Sequence, residues 1–325
     1  MKLSTRRFAG LVSAVAVAFT LATGTAGADP ATPTKVVSAG MRLQFADNGK
    51  CTLGAVGTDA AGRKVGITAG HCNPWKVADA VAEATHTTTN NNGQAVFDWR
   101  DMDSGPIGWI RYVSADGRPT AQWPAVDPVT GEASIQKTAP LDYMVIEFAP
   151  HVQLSSQVMT APTYAVEADG VTPFSTDPLT PSKTHGPVVT PSEPWFKINT
   201  IVKGLFGQVV APGTGAQLCQ AGSYTVQANA QAGQPKSELN RCGTVTHELS
   251  GLVYSSVKNR GGDSGGPLVG KFEPNKWAGI VTGQGEIALG PINLGWSYWY
   301  NSAKLILDDL NPRGITGSGF QITNN

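Results

Sequence analysis

The sequence predicts an all-β fold, and its composition and its apolar pattern both support this prediction. Only 15% of the 325 residues are charged, while the chain contains 38 glycines and 22 prolines. This balance favours a turn-rich β protein over a helical or an unfolded one. Short apolar or alternating segments recur along the chain between glycine, proline and asparagine turns, which is typical of successive strands. The segments are 105–113, 143–148, 206–210, 251–256 and 278–282.

The N-terminus has the three parts of a secretory signal peptide. Positive charges come first, an apolar segment follows at 8–22, and small residues at 26–28 provide a cleavage site. The positive charges are those of Lys2, Arg6 and Arg7. An uncleaved membrane anchor is the alternative, but the apolar segment is shorter than the about 20 residues that a spanning helix needs. We therefore predict a signal peptide over 1–28, a mature chain that begins at Asp29, and a secreted protein, although the match to a twin-arginine export signal is only partial.

The charge balance argues against nucleic acid and membrane partners. Basic and acidic residues are equal in number, 24 each, and no block of basic residues stands out, whereas nucleic-acid-binding proteins carry a clustered positive surface. After the signal peptide no long apolar segment remains that could bind a membrane. We therefore expect neither partner for the mature chain.

The segment 261–267, Gly-Gly-Asp-Ser-Gly-Gly-Pro, is the strongest indication of chemistry in the chain. It places Ser264 in a turn that leaves its hydroxyl open to approach, as a nucleophilic serine requires. Gly262, two residues earlier, accepts backbone angles that a Cβ would forbid, so its amide can point toward a developing oxyanion. The ordinary alternative is a glycine- and serine-rich surface turn.

Two further residues complete a candidate catalytic set with Ser264. His71 follows the apolar segment 65–69, which predicts a buried strand ending at an imidazole. Asp142 opens another apolar segment, so its carboxylate can lie buried and orient that imidazole. Each residue by itself is better explained as structural. The chain order His71, Asp142, Ser264 is nevertheless that of the chymotrypsin class, and subtilisins and α/β-hydrolases have different orders.

The four cysteines are Cys51, Cys72, Cys219 and Cys242, and they allow three pairings. Sequential pairing would close two similar loops, one in each half of the chain. Each disulfide would then stabilise the fold by roughly 3 kcal/mol through loop closure. A metal site is the alternative, but no Cys-x-x-Cys spacing occurs and the five histidines are scattered. We therefore predict disulfides.

These features together resemble the chymotrypsin-fold serine peptidases, above all the secreted bacterial group of α-lytic protease and the streptogrisins. The resemblance extends over about 40–314 and includes both cysteine loops, the nucleophile loop, the strand beside the primary specificity pocket and a C-terminal helix. The matching segments are 50–54 with 67–72, 218–222 with 241–246, 261–268, 277–283 and 299–310.

The resemblance implies two six-stranded antiparallel β-barrels packed face to face, with a short C-terminal helix and the active site between the barrels. On this basis we divide the chain into four parts. A short N-terminal segment covers 29–40, and a first barrel that carries His71 and Asp142 covers 41–150. A proline- and threonine-rich crossing or insertion covers 151–195, and a second barrel that carries Ser264 and the helix covers 196–325.

The resemblance also implies the activity of a serine endopeptidase. Ser264 would attack a peptide carbonyl, His71 would transfer the proton, and Asp142 would orient His71. The amides of Gly262 and Ser264 would form the oxyanion hole. We expect a polypeptide substrate, a monomer, and no metal or organic cofactor. Asp263 should be buried and either ion-paired or hydrogen-bonded, because an unpaired buried carboxylate is costly.

The chain departs from the family at the position that would hold Asp263. The α-lytic branch has an arginine there, whereas this chain has Gln220. In the trypsin branch a freed N-terminus binds the aspartate, but no activation site is recognisable in 29–40. The sequence therefore leaves the partner of Asp263 open.

Substrate specificity is the least determined property. Lys258 lies six residues before the nucleophile, at the base of the family's primary pocket, so cleavage after arginine or lysine is disfavoured by charge repulsion. If Lys258 points into the pocket, it would favour an acidic or carbonyl-bearing side chain of the substrate. If it points into solvent, as loop lysines usually do, the pocket is formed by Thr282, Gly283 and Gln284. An inactive trypsin-like domain that binds an extracellular protein is the alternative function. An esterase is disfavoured by the order of the three residues.

Overall fold

The computed structural model of the protein describes residues 35–45, 47, 49–74, 80–81, 94–114, 141–164, 188–289 and 292–325. The predicted signal peptide, 1–28, lies outside these residues, as does the middle of the predicted crossing, 165–187. No helix among the described residues is long and apolar enough to span a membrane.

The described chain is dominated by short strands. In chain order they are β1 (Lys35–Val37), β2 (Arg42–Phe45), β3 (Lys50–Thr52), β4 (Ala55–Thr58), β5 (Lys64–Thr68), β6 (Ala80–Val81), β7 (Ala95–Asp98), β8 (Gly108–Val113), β9 (Met144–Phe148), β10 (Val152–Leu154), β11 (Gln157–Met159), β12 (Thr163–Tyr164), β13 (Val188–Thr190), β14 (Pro194–Lys197), β15 (Thr200–Ile201), β16 (Gln217–Gln220), β17 (Arg241–Leu249), β18 (Leu252–Ser255), β19 (Pro267–Gly270), β20 (Lys276–Leu289), β21 (Ile292–Ser302) and β22 (Gln321–Ile322).

Two large sheets contain most of these strands. The first has the order β22-β4-β5-β9-β8-β7-β2-β3, with β6 beside β8, and it is a curled half-barrel. The second has the order β15-β20-β19-β16-β17-β18-β21, and a further pairing of β20 with β21 closes six of its strands into a barrel. The all-β class and the pair of barrel-like sheets are therefore confirmed. The terminal strand β22 returns to the first sheet, where it pairs with β4.

The local predictions succeed where apolar side chains are buried. The predicted strands at 105–113, 143–148, 251–256 and 278–282 correspond to β8, β9, β18 and part of β20. The strand predicted at 206–210 is wrong. This segment forms a loop closed by a single bridge between Lys203 and Val209, and Phe206 is 93% exposed. The apolar residues of this segment do not pack against a sheet, and the segment therefore does not form a strand.

In the part of the chain that the structure describes, two α-helices accompany the sheets, α1 (Ser223–Gln231) and α2 (Ala303–Leu310). The helix predicted at 299–310 begins only at Ala303, because the preceding residues complete β21. Ser302 caps α2 by accepting a hydrogen bond from the amide of Leu305, which satisfies one of the amides that a helix start leaves unpaired. The sequence did not predict α1, whose pattern is only weakly amphipathic.

The core of the molecule joins both sheets. One apolar cluster contains Ile67 and Val145 from the first sheet, Trp277 from the second, and Ile306 from α2. All four side chains are fully buried. The two sheets and α2 therefore share this apolar cluster. Packing within the cluster fixes the position of one sheet relative to the other.

Replacing Ile306 by alanine tests this shared core. The substitution removes three carbons from a fully buried position, so we expect it to lower the free energy of unfolding by about 2–5 kcal/mol. Asp308→Ala is the control, because Asp308 is exposed on the same helix and its surface ion pair with Lys304 contributes about 1 kcal/mol or less. Urea denaturation of both variants measures the difference, and equal losses of stability would contradict the shared core.

Candidate active site

His71 lies at the end of a strand and is anchored by a disulfide. Strand β5 ends at Thr68, and the short 3-10 turn Gly70–Cys72 carries His71 immediately afterwards. A disulfide joins Cys72 to Cys51 in β3, so the turn is fixed at both of its ends. The second bridge joins Cys219 to Cys242 across β16 and β17. The structure therefore contains the sequential pairing.

Asp142 is brought to His71 by antiparallel strand pairing. In the register of β5 with β9, Thr68 lies opposite Met144, so the residues just after β5 meet those just before β9. Asp142 is 5% exposed. Its Oδ1 accepts a hydrogen bond of 2.7 Å from the amide of His71, and its Oδ2 lies 2.7 Å from Nδ1 of the imidazole. Two contacts to one residue determine both the position and the rotation of the ring.

The side chain of Asn301 holds the backbone of Asp142. The amide of Asp142 donates a 2.7 Å hydrogen bond to Oδ1 of Asn301, and the amide of Asn301 donates one of 2.9 Å to the hydroxyl of Thr282. Asn301 is fully buried at the end of β21. The aspartate of the first sheet is therefore held by the second sheet. No motif in the sequence indicated this role, because Asn301 is separated from Asp142 by 159 positions.

Ser264 meets His71 from the other sheet. Its Oγ lies 2.9 Å from Nε2 of His71, so the two ring nitrogens contact a serine on one side and a carboxylate on the other. The structure thus brings together His71, Asp142 and Ser264, as the sequence predicted. Burial disfavours the imidazolium, but the charge and the hydrogen bond of Asp142 outweigh it and raise the pKa of His71 above 6.5. An imidazole of raised basicity is suited to accept the proton of a hydroxyl.

The loop that carries Ser264 has two glycines in the left-handed region. Gly262 has φ +88° and Gly265 has φ +79°, and a Cβ at either position would overlap its neighbours, the ring of Tyr224 and the hydroxyl of Thr68 respectively. The loop is attached to β20 by two backbone hydrogen bonds, from Gly265 to Val281 at 2.7 Å and back from Val281 to Gly266 at 2.9 Å. Only glycine fits here, for reasons of both angle and space.

The backbone of this loop presents free amides and occupied carbonyls. The hydroxyl of Thr52 donates to the carbonyl of Gly262 at 2.8 Å, and the amide of Thr52 donates to the carbonyl of Ser264 at 2.8 Å. The amides of Gly262 and Ser264 donate no hydrogen bond to any atom in the described part of the chain. Two unpaired amides beside a serine hydroxyl are suited to bind a developing oxyanion. Thr52 is fully buried, and the sequence analysis did not identify it.

The buried carboxylate of Asp263 lies at the N-terminal end of α1. Its Oδ1 accepts hydrogen bonds from the amides of Tyr224 at 3.1 Å and Thr225 at 2.8 Å. Its Oδ2 accepts from the hydroxyl of Thr225, from Nε2 of Gln220 at 3.2 Å and from the amide of Arg260 at 3.1 Å. A helix start favours an anion through its unpaired amides and its dipole. Asp263 therefore has hydrogen-bond donors in place of a cation.

Gln220 is one of the hydrogen-bond donors that hold Asp263. Its Oε1 accepts a 2.5 Å hydrogen bond from the amide of Gly222, which turns its Nε2 toward Asp263. Burial raises the pKa of Asp263, and the hydrogen bonds from Thr225 and Arg260 offset part of that cost. Gly222 is required because a Cβ there would overlap the carboxylate. The sequence could not show that α1 begins at this point, because its residues lack a strong helical pattern.

The residues predicted to line the specificity pocket have different environments. The side chain of Lys258 is exposed and lies in a polar depression with Glu238 and Arg241. Thr282 is buried, and its hydroxyl contacts the network behind Asp142. Gln284 is exposed.

Gly283, the last of these residues, is linked to the segment that precedes the loop of Ser264. Its carbonyl accepts a 3.1 Å hydrogen bond from Nδ2 of Asn259. The phenol of the buried Tyr300 donates to the carbonyl of Val257 at 2.6 Å, on the same segment. The sequence analysis identified neither Asn259 nor Tyr300. Both tie residues 257–259 to the strands β20 and β21.

One group of potential metal ligands occurs among the described residues, and it does not fit a metal. It consists of Cys51, His71 and Cys72, whose ligand atoms lie within 4.8 Å of one another. The two sulfurs form a disulfide, and a metal ligand would have to be a free thiolate. Both nitrogens of His71 already have partners.

Comparisons with known proteins find similarity only at the level of solved structures. No protein-family model matches the chain, and no curated protein matches it. Protease A of Thermobifida fusca is 14% identical with a TM-score of 0.42, and the alignment covers 89% of this chain and 100% of that chain. Cellulomonas bogoriensis chymotrypsin is 16% identical with a TM-score of 0.42 and the same coverages. The α-lytic protease homologue N4 is 15% identical with a TM-score of 0.43, over 87% of this chain and 99% of that chain.

Replacing Asp142 by asparagine tests the electrostatic coupling within the site. The carboxylate keeps the pKa of His71 above 6.5 against the effect of burial, so the uncharged amide should let the pKa fall below 6.5. Titration of the imidazole signals by NMR measures this shift, and the other histidines serve as internal controls. An unchanged titration of His71 would contradict the arrangement.

Proposed function

We propose that this protein is a secreted serine endopeptidase. The observation that carries the proposal is the placement of His71 between Ser264, 2.9 Å from Nε2, and Asp142, 2.7 Å from Nδ1. This is the geometry in which an imidazole removes the proton of a hydroxyl while a buried carboxylate stabilises the resulting charge. The two disulfides support export, because such bridges persist in oxidising compartments.

In the proposed mechanism Oγ of Ser264 attacks the carbonyl carbon of a peptide bond, and its proton passes to Nε2 of His71. Asp142 stabilises the imidazolium through its contacts with Nδ1 and the amide of His71. The tetrahedral oxyanion accepts hydrogen bonds from the amides of Gly262 and Ser264. His71 then gives the proton to the leaving amine, and an acyl-enzyme remains on Ser264. Water hydrolyses this ester through the same proton transfers in reverse order.

The oxyanion hole depends on the loop being ordered before the substrate binds. A preorganised donor stabilises the transition state because no reorganisation is needed during the reaction. The hydrogen bonds of Asp263 to α1 and those of Thr52 to the loop carbonyls support such order without any substrate. In this proposal the chain therefore needs neither a freed N-terminus nor an arginine partner for Asp263.

An inactive domain that binds an extracellular protein is the second candidate. It draws support from Lys258 and Gln220, which depart from the family pattern. The hydrogen bond between His71 and Ser264 favours the enzyme, since a binding surface has no use for an activated hydroxyl. The two candidates differ in a single measurable property, the reactivity of Ser264.

Labelling with a fluorophosphonate probe tests the proposed function. The parent protein should become covalently labelled and should cleave casein or a mixed peptide library. Ser264→Ala should abolish labelling and lower the turnover by about 10⁴- to 10⁶-fold. The control is Ser256→Ala, because Ser256 is exposed and lies outside the His71 contacts. A folded parent protein that is neither labelled nor active would contradict the proposed enzymatic function.

The support of the oxyanion hole predicts an effect away from the triad. Thr225→Val retains the amide but removes the hydroxyl that donates to Asp263. Loss of one hydrogen bond to a charged group costs about 1.5–3 kcal/mol, so we expect kcat to fall about 10-fold or more while KM changes little. Thr225→Ser retains the hydroxyl and should restore kcat. Equal kcat values for the two variants, with equal thermal stability, would exclude this role.

A further inference from the structure

A cavity next to the first turn of α1 is separate from the three proposed catalytic residues. Its volume is about 350 Å³, within the range of about 300–1,000 Å³ that is usual for small-molecule sites. Its wall is mainly apolar and aromatic. The lining residues include Arg42, Trp99, Met159, Pro162, Tyr164 and Gln227. We call it the Arg42 cavity. Val36 also lines it and is 53% exposed, so the cavity is open to solvent.

Arg42 is a buried cation whose hydrogen-bond partners among the described residues are all neutral. It is 7% exposed. Its Nε donates to the hydroxyl of Ser223 at 3.3 Å, and its Nη2 donates to the carbonyl of Ser223 at 3.3 Å and to Oε1 of Gln227 at 2.6 Å. The guanidinium also lies over the ring of Trp99, 4.4 Å from its centroid, and over that of Tyr224 at 3.6 Å. Its Nη1 donates no hydrogen bond to any described residue.

No carboxylate among the described residues forms an ion pair with Arg42. Arg100, which also lines the cavity, is neutralised by Asp98 at 2.8 Å. Asp263 acts on Arg42 through space, but its oxygens are occupied by α1 and Gln220. Lys50 adds a second positive charge nearby, since burial and then Arg42 lower the pKa of its ammonium group.

A buried and unneutralised guanidinium is energetically costly, and an anion that reached it would offset this cost. The first turn of α1, whose dipole places partial positive charge at this end of the helix, adds to the positive potential. The planar donors of an arginine match the oxygens of a carboxylate. The apolar wall provides the complementary surface for an apolar tail.

We propose that the Arg42 cavity binds a small carboxylate that carries an apolar tail. The carboxylate would accept from the free Nη1 of Arg42, and the tail would pack against Met159, Pro162 and Tyr164. A free aliphatic or aromatic acid and the C-terminus of a peptide that ends in an apolar residue share this chemistry. The site is separate from the catalytic proposal, since none of its contacts involves His71 or Ser264.

Isothermal titration calorimetry with matched probes tests the charge requirement. Octanoate should bind the parent protein, whereas octylammonium and octanol, which have the same tail, should bind at least tenfold more weakly. Equal affinity for the three probes, or no detectable binding of octanoate and of the peptides below, would overturn the proposal. An acetylated tripeptide ending in leucine, compared with its C-terminal amide, shows whether peptide carboxylates are accepted as well as free acids.

Three variants locate the binding. Arg42→Met should lower the affinity for octanoate at least tenfold, or by about 1.4 kcal/mol. Ala161→Trp should lower it as much, because the larger side chain fills the cavity from its wall and leaves Arg42 in place. Arg63→Met is the control, because this arginine is paired with Asp59 in another part of the fold. If Arg42→Met fails to fold, Ala161→Trp decides alone. Undiminished binding in a folded cavity variant would contradict the assignment, whatever the outcome of the protease assays.

Discussion

The buried carboxylate of Asp263 organises the region around Ser264. It joins the loop that carries Ser264 to the start of α1 and to the end of β16 through hydrogen bonds from Thr225 and Gln220. A carboxylate in this position would be destabilising without donors, so the loop and the helix start are stable only together. Thr52 holds the carbonyls of Gly262 and Ser264, and the amides of these two residues have no hydrogen-bond partner in the described part of the chain.

A second constraint connects the two sheets across the site. His71 follows β5 and Asp142 precedes β9, which are neighbouring strands of the first sheet, and the contact of the two residues follows from the register of these strands. Ser264 lies in the loop before β19 of the second sheet. Asn301 links the two by accepting from the amide of Asp142, and the shared core of Trp277 and Ile306 keeps the sheets in place. The distance of 2.9 Å between His71 and Ser264 therefore depends on packing that involves most of the described chain.

Residues could be predicted from the sequence where chemistry requires a particular residue type at a particular spacing. The segment around Ser264 needs glycines on both sides because of backbone angles and close contacts, and such a requirement is visible in one sequence. Residues could not be predicted where their role depends only on their position in the folded structure. Asn301, Thr52 and Thr225 have ordinary flanking residues, and nothing local distinguishes them from other polar residues. The strand predicted at 206–210 failed for the opposite reason, since its apolar residues meet no sheet.

The sequence by itself determined the all-β class, the three residues that meet in the site, and a set of cysteines suited to two bridges, because each of these rests on short-range requirements of backbone angle, periodicity and chemical type. Only the tertiary structure decided how Asp263 is held, which way Lys258 points, and that the buried Arg42 forms no ion pair with any described carboxylate. These properties arise between segments far apart in the chain, where hydrogen-bond partners and burial are set by packing.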